Sequence, residues 1–137
     1  MSSSITQLYS RGEYPQYYAR VPATTDLSVV ATAAQNTGRG VVTGATGKAA
    51  IAGADAFVKG ILAEVESATY WWIIMASAPV VVVRAAGALG ENVWLTTDAS
   101  GDFTTAGTGE EASFMTTAAV AAADSALPCV PTTHIAE

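Results

Sequence analysis

Short runs of β-branched and aromatic residues, each broken by glycine, proline or a polar turn, constrain this chain more than any other feature. Leu27-Ser28-Val29-Val30 opens the series and Arg39-Gly40-Val41-Val42-Thr43 follows. Phe57 to Val65 shows the mixed alternation of a half-buried strand, and Tyr70 to Met75 and Val80 to Arg84 are β-branched and aromatic. Asn92 to Thr97 leads into Asp98-Ala99-Ser100-Gly101-Asp102, a turn signal, and then Phe103 to Thr105. Ser113 to Val120 and Leu127 to Thr133 close the list. Strands recurring every roughly 8–15 residues predict a mainly β fold, a small β-barrel or β-sandwich.

Composition sharpens this reading. The apolar half of the 137 residues is dominated by 28 Ala and 14 Val, against 6 Leu, 6 Ile and 3 Phe. Such residues let backbones approach closely but bury little area each, so burial against a partner would add to stability. Tyr70 to Val83 is apolar enough to suggest a membrane span, yet it covers 14 residues, contains Pro79 and ends at Arg84. A span needs about 20 residues. Thr116 to Ala126 is alanine-rich and could form a short helix stopped by Pro128. Strand plus turn fits the surrounding period better.

Residues 1–26 read as an extended aromatic N-terminal arm, set apart from a β-rich domain over 27–137. Four of the five tyrosines (Tyr9, Tyr14, Tyr17, Tyr18) lie in it with Arg11 and Arg20, while Gly12, Pro15 and Pro22 prevent a continuous helix. Tyrosine and arginine carry interfaces, so the arm is expected to dock. Charge divides unevenly as well. All six basic side chains lie within residues 1–84, and residues 85–137 hold seven acids with no Lys or Arg. The net charge of −6 argues against a surface built to bind nucleic acid. An acidic side facing water and a near-neutral aromatic side facing a partner would account for the division. The opening MSSSITQLYSRGEY has no basic segment followed by an apolar run, which argues against a secretory signal.

No catalytic constellation, metal site or cofactor motif emerges. His134 is the one histidine, close to the C-terminus, and no G-x-S-x-G elbow accompanies it. Gly44-Ala45-Thr46-Gly47-Lys48 lacks Walker spacing, and Ala49 stands where a magnesium-binding hydroxyl would be required, so a turn before Lys48 is expected. Asp98, Ser100 and Asp102 alternate like calcium ligands but lack the downstream glutamate, so a hairpin turn explains them. Glu64 and Glu66 read as solvated carboxylates. The lone Cys129 excludes an intramolecular disulfide and a Cys-based zinc cluster, and reads as a small buried residue. Trp71 and Trp72 should point to opposite faces of one strand, one in the core and one exposed as an anchor or sugar-stacking platform.

Three pieces carry a resemblance to the small capsid cement, or decoration, proteins of tailed bacteriophages. They are Ile51-Ala52-Gly53-Ala54-Asp55-Ala56-Phe57-Val58-Lys59-Gly60-Ile61, the stretch from Val81 through Gly87 and Gly90 to Leu95, and Asp98-Ala99-Ser100-Gly101-Asp102-Phe103 with Thr104-Thr105-Ala106-Gly107. The stretch from Leu27 to Pro131, about three-quarters of the chain, is similar to that family. The resemblance implies a non-enzymatic virion structural protein made in the bacterial host cytoplasm and seated on the outer capsid surface. There it would stabilise contacts between subunits of the major capsid protein. It also implies a homo-oligomer, a trimer in preference to a dimer, with no nucleic-acid or membrane partner and no cofactor. The expected interface residues are Tyr9, Arg11, Tyr14, Tyr17, Tyr18, Arg20 and one of Trp71 or Trp72. Deleting residues 2–22 is expected to weaken capsid binding and leave the β body folded. The alternative is a non-catalytic surface module that recognises glycans through an exposed tryptophan.

Overall fold

The β-branched runs form strands whose side chains alternate between two environments, and among the described residues ten strands assemble into two antiparallel sheets. The computed structural model describes residues 17–44, 46–78 and 81–135. The first sheet contains β1 (Tyr18–Pro22), β2 (Gly40–Thr43), β3 (Ala49–Ile51), β4 (Gly60–Val65) and β5 (Tyr70–Met75) in the order β1-β5-β4-β2-β3. The second contains β6 (Val81–Arg84), β7 (Trp94–Thr97), β8 (Phe103–Thr105), β9 (Glu111–Thr116) and β10 (Ala126–Ile135) in the order β6-β10-β9-β7-β8. One short helix, α1 (Val30–Asn36), lies between β1 and β2.

The architecture is a small β-sandwich and not a closed barrel. Each sheet curls until its edge strands approach, but they meet in single parallel bridges, Ala23 with Ala49 and Ala85 with Phe103, instead of a ladder. The concave face of the first sheet holds Val41, Leu62, Trp71 and Ile73, with Leu27 packed among them. Its opposite face contributes Ile61 and Ile74 to the main core, which the second sheet fills with Val81, Val83, Leu95, Phe103, Phe114, Leu127 and Cys129. The Phe103 and Phe114 rings meet edge to face at 5.6 Å.

Where the two sheets cross, glycine is required. The Gly40 N–H donates to the Gly101 carbonyl at 2.9 Å. A Cβ on Gly40 would sit 2.7 Å from Val58 Cγ1 and 3.0 Å from Thr97 Cγ2, closer than packed carbon atoms approach. Arg84 binds the two halves from the other side. It is buried, and it donates from Nε to the Thr37 carbonyl at 3.0 Å, from Nη2 to the Ala34 carbonyl at 2.6 Å and from Nη1 to Asp124 Oδ1 at 3.0 Å. The C-terminal carbonyls of α1 thus find a cation, the favourable partner for that end of a helix.

One local expectation needs correction. Leu27 to Val30 is not a strand: Leu27 is buried as a plug, and α1 begins at Val30. The sequence Ala31-Thr32-Ala33-Ala34-Gln35 has helix-forming residues, and Gly38 with a φ of 92° ends the segment. Thr116 to Ala126 contains no helix; β9 ends there and turns lead to β10. Tyr70 to Val83 divides between β5 and β6, one in each sheet, and no helix among the described residues is long and apolar enough to cross a membrane.

Candidate interaction surface

Strand alternation separates the two tryptophans as expected, and only one stays near the surface. Trp71 is fully buried in the concave face of the first sheet, so it cannot serve as a surface anchor. Trp72 points the other way and is half-buried. Cross-strand register places Arg20 beside Trp72 on β1 and Glu64 beside it on β4, while Pro22 pairs with Tyr70. Arg20, Trp72, Glu64 and Tyr70 therefore share one face, beyond the part that Ile61 and Ile74 bury against the second sheet.

The β4–β5 turn fixes this group. The N–H groups of Glu66 and Ser67 donate to the Tyr70 carbonyl at 3.1 and 3.2 Å, and Ser67 Oγ accepts from the N–H groups of Thr69 and Tyr70. Held in this turn, the Glu66 carboxylate accepts from Arg20 Nε at 2.6 Å and from Trp72 Nε1 at 3.3 Å. The Arg20 guanidinium carbon lies 3.7 Å from the Tyr70 ring centroid. The side chains of Arg20 and Glu66 are 47% and 35% exposed, so the ion pair contributes about 0.2–1 kcal/mol and the cation–π contact about as much. Such energies do little to hold a fold, but they fix the orientation of a guanidinium and two aromatic rings at the surface.

Of the other expected interface residues, Tyr17 and Tyr18 are half-buried and pack against the main core. Tyr9, Arg11 and Tyr14 lie outside the described residues. The part of the expected arm from Tyr18 to Pro22 is β1, the edge strand of the first sheet, so a deletion of residues 2–22 would remove a strand along with the arm. Tyr70 and Glu66 were not among the expected interface residues. The signal for Tyr70 was its spacing of two from Trp72, which puts both on one strand face.

The motifs set aside on sequence grounds behave as structure. Gly44 to Lys48 is the β2–β3 turn, with the Gly44 N–H donating to the Lys48 carbonyl at 2.7 Å. Asp98 accepts at Oδ1 from the N–H groups of Ser100 and Asp102, at 2.8 and 3.1 Å, in the β7–β8 turn, and Asp102 pairs with Arg39 at 2.9 Å. The backbone of His134 pairs with Ala112 inside β10. Cys129 is buried, and burial pushes its thiol up to about 12. A shallow cavity of about 210 Å³ lies between Phe57, Val58, Ala76, Ser113, Pro131 and Thr132. Among the described residues no group of three His, Cys, Asp or Glu side chains is arranged to hold a metal ion. No protein-family model matches the sequence, and no curated protein is significantly similar to it.

Proposed function

We propose that this chain is a virion structural protein that binds the outer surface of an assembled phage capsid and stabilises the contacts between its major capsid subunits. The observation that carries the reading is the oriented Arg20–Tyr70–Trp72 group on an exposed sheet face: arginine and large aromatics dominate binding energy in protein interfaces, and preorganised ones do so at low entropic cost. The small-residue strand joints that resemble those of cement proteins and the acidic stretch 85–137, which would face solvent, support it. A protein that binds the assembled shell and not its free subunits stabilises the shell by mass action, and repetition over a symmetric lattice multiplies a modest contact. In this reading the chain also associates with itself, as a trimer.

The test is retention on expanded capsid shells. Arg20→Ala with Trp72→Ala should weaken binding at least tenfold while the melting temperature stays near that of the parent. Full binding by the double variant would remove this surface from the account. Deletion of residues 2–16 keeps β1 and isolates the contribution of Tyr9, Arg11 and Tyr14. Saturable binding to oligosaccharides that is lost in Trp72→Ala, with no binding to shells, would put the glycan reading in its place.

A further inference from the structure

The two sheets have the same strand order, and the correspondence extends to individual hydrogen bonds. Residues 54 apart match from β2 through β3. The Ala52 N–H donates to the Gly40 carbonyl at 2.8 Å, and the Ala106 N–H to the Trp94 carbonyl at 2.8 Å. The Gly44 N–H to Lys48 carbonyl bond has its counterpart from Asp98 to Asp102, and Gly47 and Gly101 occupy the same turn position with φ of 77° and 85°. The β2–β4 pair Val41 with Gly60 corresponds to the β7–β9 pair Leu95 with Phe114.

The edge bridges correspond too. Ala23 bridges Ala49, and Ala85 bridges Phe103. The Thr24 N–H donates to the Ala49 carbonyl as the Ala86 N–H does to Phe103, and the Ala23 N–H donates to Thr69 as Ala85 does to Ser125. Here the first strands are 62 residues apart, because the β1–β2 connection is eight residues longer than its counterpart and contains the seven residues of α1. The last strands are 56 apart, because the chain from Thr116 to its partner Cys129 is two residues longer than that from Leu62 to Ile73. The sequence keeps a trace of the repeat: Ala45-Thr46-Gly47 with Ala52-Gly53 matches Ala99-Ser100-Gly101 with Ala106-Gly107. Shared strand order alone could arise by convergence, but ladder registers, turn bonds and closing bridges that agree together point to one ancestral unit.

We infer that the chain is a tandem duplication of one five-stranded module, spanning 17–78 and 81–135, and that Arg20 and Tyr70 are additions to the first copy that the shared frame does not need. The interiors are two packings of one frame. At matching positions the first copy has Trp71, Ala49 and Gly60 where the second has Leu127, Phe103 and Phe114. Trp71 and Ala49 share one buried cluster and the three second-copy residues share the other, so bulk is distributed differently over neighbouring strands. On the outer face, Val82 stands at the place of Arg20 and Ala126 at the place of Tyr70. The frame therefore stands with small, uncharged residues at both positions. A guanidinium and a ring present there in the first copy alone belong to the capsid-binding surface proposed above, and this part of the inference rests on that reading.

Melting of the full-length protein tests both parts without reference to any partner. Trp71→Leu should lower the melting temperature by roughly 10 °C. Ala49→Phe should lower it in the parent, where it overpacks, and raise it in the Trp71→Leu background, where it restores the Leu127–Phe103 part of the second copy's packing while Gly60 stays in place of Phe114. Equal losses in both backgrounds would overturn the equivalence of the interiors. If Trp71→Leu does not fold, the reciprocal pair Leu127→Trp and Phe103→Ala makes the same comparison in the second copy. Arg20→Val with Tyr70→Ala removes the ion pair and the cation–π contact and should lower the melting temperature by no more than about 8 °C. A larger loss would show that these side chains hold the fold, and would overturn their assignment to a surface.

Discussion

Replacing Arg84 by methionine should be among the most damaging single changes in this protein. Methionine keeps most of the apolar stem and removes the guanidinium, so the loss isolates three hydrogen bonds. The Asp124 side chain is 68% exposed, and its ion pair accounts for less than about 1 kcal/mol. The Thr37 carbonyl belongs to a buried residue and would be left short of a donor, at about 1–3 kcal/mol. The Ala34 carbonyl lies at an exposed position, where water can take over part of its bond, and α1 loses the cation at its C-terminus, at about 0.3–1 kcal/mol. The total is about 2–4 kcal/mol. A chain of this length loses about 3–4 °C in melting temperature per kcal/mol, which predicts a fall of roughly 7–14 °C by circular dichroism. Asp124→Asn should cost under about 4 °C in the same assay. If Arg84→Met melts within about 2 °C of the parent, or no lower than Asp124→Asn, the view that Arg84 holds α1 to the second sheet is wrong.

Other consequences can be read with urea or heat. The Thr96 hydroxyl is buried with no hydrogen-bond partner among the described residues, and Val42 occupies the matching place in the first sheet, so Thr96→Val should stabilise by about 1 kcal/mol. An unchanged or lower urea midpoint would contradict this. Gly101→Ala combines a positive φ with a Cβ 2.6 Å from Ile51 Cγ2 and should cost about 2–4 kcal/mol; Gly47→Ala carries the φ strain in open space and should cost about 1. Equal midpoints for the two variants would count against the close approach at Gly101. Cys129 is neutral in both states below its ordinary value near 9. Above that the unfolded thiol ionises while the folded one, raised to about 12, does not. Stability should therefore fall as pH rises through 9 toward 12, by up to about 1.4 kcal/mol per pH unit, and Cys129→Ala should remove that part of the slope. Equal slopes between pH 9 and 11 would show that the thiol is not protected by burial.

Most strands were legible because their residues both favour extended backbone and alternate with the burial they acquire. Tyr70 to Met75 is bounded as read, and Asp98 to Asp102 forms the turn that its short polar residues and Gly101 require. Helix α1 was not legible, since Val29 and Val30, which suggested a strand, are 66% and 85% exposed and pack little. Hydrophobicity there carried no information about a core. Strand β3 escaped notice because Ala49-Ala50-Ile51 is too short and too small to show a period. At the candidate surface, period two placed Trp71 and Trp72 on opposite faces, but only the ladder with β1 and β4 shows which face is covered. Glu66 was recognisable as a carboxylate but not as the group joining Arg20 to Trp72, because its role depends on a turn and on a strand 46 residues away. The repeat was present as an alanine–glycine spacing, too sparse to be noticed until matching hydrogen bonds gave it meaning.

Co-sedimentation of the purified protein with cognate expanded capsid shells, titrated to saturation, addresses the proposed role most directly. The account predicts saturable binding to shells and none to unassembled capsid subunits, with a stoichiometry matching one class of symmetry positions and a marked loss in Arg20→Ala/Trp72→Ala. No binding to shells at micromolar protein, or equal binding to free subunits, would contradict it.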